Sequence, residues 1–291
     1  GDTGFGLGVS IKDINILGTG NELNSTFNVN SEQALFLVNY IQTPLYNPNI
    51  KNNYDIFNSE KDLTDSYGYK LKEQGLGYAI SYEYNEKVDI TTGIKVSTSE
   101  GYSGKNSSTV ITDNIGNKDN LKFTLSVSSD TTNDIFFPTD GIKNRIHFVY
   151  SPNDISDDPF YKMVLKSDIY NQFKSNSNFL FFSNRFGIAD SLDGNLNTAN
   201  VFGLGGLNFK GFDYRGIGPF NDNIYLGGNS YFTSTLGLGG SFLFDEKDNI
   251  NLKLFTTTGS IWNSDYSSQD EFDLRNSVGL SFDIMTEVFP V

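Results

Sequence analysis

Apolar residues occupy alternate positions over much of this chain, the period-two pattern of strands that shelter one face. Phe5, Leu7, Val9 and Ile11 alternate with Gly6, Gly8, Ser10 and Lys12. Leu76, Tyr78, Ile80, Tyr82 and Tyr84 share a face, as do Ile90, Thr92, Ile94 and Val96. The most regular segment sets Leu121, Phe123, Leu125 and Val127 against Lys122, Thr124, Ser126 and Ser128. Tyr161, Met163, Leu165 and Ile169 oppose Lys162, Lys166 and Asp168; Leu252 and Leu254 oppose Lys253; Val278, Leu280, Phe282 and Ile284 oppose Ser277, Ser281 and Asp283. Less regular segments fall near 22–30, 33–42, 52–60, 142–152, 178–189 and 229–238, for a total of about thirteen strands and no convincing helix.

Alternation suits a soluble sandwich and a membrane barrel equally, because each hides one face of every strand. Three features favour the barrel. The polar faces carry Lys, Asp and Ser, as a wet lumen permits. Tyr40, Tyr84, Tyr150 and Tyr170 lie toward strand ends, where an aromatic girdle sits. The short Asn85–Lys87 turn precedes a long Gly101–Asp119 loop, which suggests short turns on one rim and long loops on the other. The expected fold is therefore all-β, a transmembrane antiparallel barrel. Phe123, Leu125, Val127, Leu280 and Phe282 should face lipid, and Lys122, Lys166 and Lys253 the lumen.

Composition narrows the functional classes. The 291 residues include no cysteine, which excludes a disulfide scaffold and a thiolate metal site. With 21 basic and 35 acidic residues the net charge is −14, which argues against nucleic acid as a partner. The Asn-rich acidic stretches Ser151–Asp158 and Ser264–Asp273 read as solvated loops. No stretch approaches the roughly 20 apolar residues of a membrane helix.

Enzymatic chemistry finds little footing. His147 is the one histidine, and it shares a strand face with Arg145 and Val149, where a hydrogen-bonded lumen residue is the simpler reading. No G-x-S-x-G elbow is present. Asp190–Asn195 lacks the spacing and closing Glu of a calcium loop. The sequence nominates no catalytic residue, no metal site and no cofactor. The segment that does stand out is Leu204–Pro219, LGGLNFKGFDYRGIGP. Its Phe209, Phe212 and Tyr214 are too apolar for a solvated tether, and a long loop with its own packing chemistry is usually functional.

Two motifs carry a family resemblance. Phe136-Phe137-Pro138-Thr139-Asp140-Gly141 matches an FPTDG turn. Phe209-Lys210-Gly211-Phe212, followed by Gly216-Ile217-Gly218-Pro219, matches an RGF-type loop element, and Leu17-Gly18-Thr19-Gly20 is a weaker third match. On these residues the chain resembles the C-terminal barrel of the BamA family of bacterial outer-membrane protein assembly factors. The resemblance implies a barrel of sixteen strands, of which about thirteen are present here. Residues 1–291 would form a single outer-membrane barrel domain, incomplete at both ends, with the family's POTRA repeats absent from this chain. It implies that unfolded outer-membrane barrel clients, lipoproteins of an assembly complex and the lipid bilayer are partners. It also implies the activity: folding and inserting barrels through a seam that opens laterally. The alternatives are an outer-membrane channel or a secretion transporter of the same superfamily.

The resemblance assigns roles to particular residues. Phe137, Pro138, Thr139, Asp140 and Gly141 form a structural turn. Phe209, Lys210, Gly211, Phe212, Gly218 and Pro219 form a loop that folds into the lumen. The family more often has Arg where this chain has Lys210, reaching an aromatic and an acidic residue on the inner wall. The matching positions here are Phe255 and Thr257, so an ammonium is expected to face a ring or a hydroxyl. Lys and Arg are not equivalent at a stacked or bidentate site, and Arg215 is a candidate to compensate.

Overall fold

The computed structural model describes residues 6–30, 33–64, 68–103, 114–173, 178–221, 224–240, 250–267 and 272–284. Its strands are β1 (Leu7–Asp13), β2 (Glu22–Val29), β3 (Gln33–Gln42), β4 (Ile50–Leu63), β5 (Tyr69–Asn85), β6 (Val88–Ser103), β7 (Gly116–Asp130) and β8 (Gly141–Ser151). They continue with β9 (Phe160–Gln172), β10 (Phe179–Ser191), the short pair β11 (Phe220–Asn221) and β12 (Ile224–Tyr225), then β13 (Ser230–Gly240), β14 (Ile250–Trp262) and β15 (Arg275–Ile284). Thirteen of these form one antiparallel sheet, each strand bonded to the next in sequence, with β11 and β12 apart in the β10–β13 connection. Among the described residues β1 and β15 are the two edges.

The pleat sorts the two faces as the alternation requires. Val149 of β8, Val164 of β9 and Ala189 of β10 pack against a common interior cluster, which fixes the inward phase of those strands. The opposite phase carries Ile146, Leu165, Ile169, Phe182 and Phe186, all exposed. Phe123 and Leu125 on β7, and Leu280 and Phe282 on β15, are likewise exposed, the last two by 63% and 56%. Among the described residues no second sheet covers them, which excludes the sandwich. An apolar surface this extensive belongs against lipid. Lys122, Lys166 and Lys253 stand on the inward phase, where Lys122 bonds to Glu73 and Lys253 pairs with Asp283.

Above the lipid-facing band the polarity inverts. On the outer face of β4 and β5, Glu60 and Asp62 pair with Lys72 and Lys70, and Tyr102 of β6 donates to Glu60. Inside, at the same height, Tyr69 and Leu71 are buried. These strands therefore rise beyond the hydrocarbon, with water outside and a packed core within.

Three expectations need correction. Tyr40 does stand outward, its ring tilted against Tyr54, which in turn meets Tyr78, but Tyr170 packs inward beside Phe179. Connection lengths do not sort cleanly by rim. The long β10–β13 connection shares its rim with the short β2–β3 connection, and the opposite rim holds both the residues 86–87 turn and the longer 131–140 connection. The supposed Gly101–Asp119 loop is shorter than read, since β6 continues to Ser103 and β7 begins at Gly116. Phe5 lies outside the described residues, as do residues 285–291.

Candidate functional site: a loop packed in the lumen

The core of this protein lies inside the sheet rather than between layers. Leu196, Val201, Phe202, Leu204, Phe209 and Ile217, all from the β10–β13 connection, are buried with wall residues Tyr69, Leu71, Phe160, Ala189 and Ile261. The loop can do this because it satisfies its own backbone. Phe202 and Gly228 exchange hydrogen bonds, Ile217 N donates to Leu204 O, Gly206 N to Phe212 O, and Leu226 N to Pro219 O. The Asn208 side chain closes the tip, accepting from Gly205 N at 2.8 Å and donating to Gly203 O at 3.0 Å. A segment without such pairing could not enter a dry interior.

Phe209 is the pivot, only 1% exposed. Its ring meets Phe212 edge-on at a centroid distance of 5.2 Å. It seats on β14 at Gly259, where a Cβ would stand 2.9 Å from the ring and 2.5 Å from Phe232 O. Only glycine leaves that space. Gly218 packs on Ile261 of the same strand, Gly211 against Ser277 of β15, and Pro219 is buried.

Lys210 stands apart, exposed to the lumen, with Nζ 5.6 Å from the centroid of the Phe255 ring. That places it at the ring, not at the hydroxyl, because Thr257 is buried and shares a 2.8 Å hydrogen bond with Thr235. Lys210, Phe255 and Thr257 line one cavity of about 240 Å³ together with Phe181, Lys253 and Asp283. Arg215 folds back over Gly203 and Gly227 within the loop.

The strongest polar ties are ones the sequence did not suggest. The Asp265 carboxylate accepts from Leu196 N at 2.7 Å and from the Asn229 amide at 3.1 Å, so it clasps both stems of the loop. Tyr266 donates to Leu196 O at 2.6 Å. Asn114 accepts from Thr198 N at 3.1 Å, and the Thr198 and Tyr69 hydroxyls share a bond of 2.7 Å. Lys162 donates to Asn200 O at 2.7 Å with its ammonium 4.3 Å from the Phe202 ring centre. Asp265 is exposed, as expected of the acidic stretch Ser264–Asp273, yet it and Tyr266 tie that stretch to the loop. In Ser151–Asp158 the residues Asn153, Asp154, Ile155 and Asp157 are exposed as expected, while the buried Ser156 bonds Leu121 in both directions and Asp157 accepts from Asp119 N. Burial pushes the Asp158 carboxyl up from its usual range, with the Lys118 ammonium at 3.7 Å opposing. A buried side chain on an acidic loop leaves no compositional signal.

The FPTDG turn lies on the opposite rim, between β7 and β8, and does not meet the loop. Asp134 accepts from Phe136 N and Phe137 N, which holds its carboxyl below the usual range. Asn133 accepts from the amides of Thr139 and Asp140. The Asp140 carboxylate takes Gln172 N at 3.4 Å, and the Thr139 hydroxyl donates to the Gln172 side chain. Pro138 sits between these bonded residues, and Gly141 opens β8 at φ 105°. His147 and Arg145 occupy the lumen phase of β8 with Val149.

The profile described as Omp85 superfamily domain matches residues 15–291. Among solved structures, the chain is similar to BamA from Haemophilus ducreyi lacking POTRA domains 1–3, with a TM-score of 0.85 and 16% identity over 99% of this chain. It is similar also to CdiB from Acinetobacter baumannii, at TM-score 0.56 and 11% identity over 97% of the chain, and to CdiB from Escherichia coli, at 0.55 and 14% over 95%. The chain spans 63% of the BamA chain and 51% and 53% of the two CdiB chains. A sequence comparison with curated proteins gives no match. The thirteen-stranded antiparallel sheet, its lipid-facing exterior and the matched profile make this chain an outer-membrane β-barrel protein that belongs to the Omp85 superfamily.

Proposed function

We propose that this barrel folds and inserts other β-barrel proteins into the outer membrane. The observation that carries the reading is agreement over the whole chain with the BamA barrel, at a TM-score of 0.85 against 0.56 and 0.55 for the two CdiB chains. The physical task suits such a fold. An incoming hairpin carries backbone groups that lipid cannot satisfy, and a sheet edge offers them partners by strand addition. The work needs no covalent chemistry, and its partners are unfolded barrel clients, the lipoproteins of an assembly complex and lipid. The loop motif Phe209–Phe212 packs on β14 at Gly259 and Phe255, next to the β15 edge, and so braces the wall beside that edge.

The second reading is a secretion transporter of the same superfamily, favoured by the CdiB likeness. Reconstitution of the full-length protein in liposomes separates the two. The assembly reading expects faster folding of a denatured outer-membrane barrel than in protein-free liposomes, with small steady conductance in planar bilayers. Unaccelerated folding together with large steady currents would favour transport.

A further inference from the structure

Three basic residues stand side by side on the lumen wall. Register pairs Arg145 of β8 with Lys166 of β9, and Lys166 with Arg185 of β10. All three lie on the inward phase fixed by Val149, Val164 and Ala189. With strands about 4.8 Å apart, neighbouring stems lie well inside the screening length of about 8 Å in physiological salt. Like charges directly opposite one another destabilise a sheet, and here two such contacts are adjacent.

Little relieves them. Arg185 pairs with Asp168 at 2.7 Å and gives further donors to the Ser167 and Asn184 carbonyls. Arg145 and Lys166 are exposed to the lumen and make no ion pair among the described residues. Lys162 extends the positive region toward the loop, where its ammonium bonds Asn200 O. All this occurs in a chain whose net charge is −14.

We propose that Arg145, Lys166 and Arg185, side by side on the lumen wall, bind an acidic segment of extended polypeptide. The row crosses strands, so it presents a line of charge rather than a convergent cup; a single phosphate would want donors aimed at one point. An extended chain lays alternate side chains about 6.6 Å apart, which such a line can follow. The row ends in hydroxyl groups, with Ser128 opposite Arg145 and Thr233 opposite Arg185, so an acyl chain finds no apolar bed there. The confined lumen strengthens the field of the row. The proposal rests on the assembly reading for its client, but not for the binding itself.

The test uses the full-length protein in zwitterionic detergent and a fluorescent Glu/Asp-rich peptide, followed by anisotropy at low salt. Binding that weakens roughly tenfold in the double variant Arg145→Gln, Lys166→Gln supports the proposal, provided that Lys12→Gln on the far wall leaves it unchanged. Equal binding of a Gln/Asn-rich peptide, or an unaltered affinity in the double variant, overturns it. So does displacement of the peptide by dilute inorganic phosphate or by anionic lipid in mixed micelles, which would identify a small-anion or headgroup site. Each variant's fold is checked by resistance of the barrel to protease. Peptide binding without accelerated client folding in liposomes would retire the assembly reading and leave this site standing.

Discussion

The walls β1–β2 and β10–β14 follow the same alternation, yet their inner faces differ completely. Every residue of β1 is exposed, and its lumen phase carries Ser10, bonded to Thr26, and Lys12, paired with Glu22. The inner face of β10 and β14 instead carries Phe179, Phe181, Phe255 and Ile261, buried under or beside the loop. The same backbone thus serves as a bare wet wall on one side and as half of a hydrophobic core on the other. What decides is whether the 38 residues of connecting chain between β10 and β13 fold back upon the wall and satisfy their own backbone while doing so.

The largest break in that contrast should come from Phe209→Ala. Removing a fully buried ring costs about 3–5 kcal/mol, which should free the loop to protease, whereas Ser10→Ala on the bare wall should change stability by less than about 0.5 kcal/mol. Next comes Asp265→Ala, which strands two donors at the loop stems and should cost about 1.5–3 kcal/mol; proteolytic cleavage near Leu196 should report it. Lys210→Met should matter least of the loop changes. Its contact with Phe255 is exposed and worth about 0.5–1 kcal/mol, so a loss as large as that of Phe209→Ala would show that the ammonium is a true anchor.

A smaller effect separates the two rims. Asp134 has its carboxyl held low by two amides in the β7–β8 turn. A depressed folded value stabilises the turn at pH above the ordinary carboxylate value of about 3.9, and that contribution fades as the pH falls through the lower folded value. Amide exchange at Phe136 and Phe137 should accelerate below that range, while Asp134→Asn should remove the acid dependence.

The contrast also explains what could be read from residues alone. The lipid imposes its polarity on one face of every strand, so β6, β7 and β15 were legible wherever the lumen opposite was wet. β10 was read as irregular because Phe179 and Phe181 face inward while Leu180 and Phe182 face lipid, leaving both faces apolar. The first residues of β5 escape the pattern because Tyr69 and Leu71 put apolar side chains on the inner face above the hydrocarbon. Within the site, Phe209, Lys210 and Phe255 could be placed together through the loop motif. Gly259, Asp265 and Lys162 could not, since a space left for a ring, a carboxylate on an acidic loop and a lysine on a lumen face look ordinary until the chain has folded.

Hydrogen exchange in the intact protein tests the central claim most directly, since it asks whether the loop is part of the folded core. The amides of Phe202, Gly206, Ile217 and Leu226 donate within the loop and should exchange as slowly as those of β13 and β14, slower than those at the edge of β1. Exchange at these four amides as fast as in an open surface loop would contradict the account.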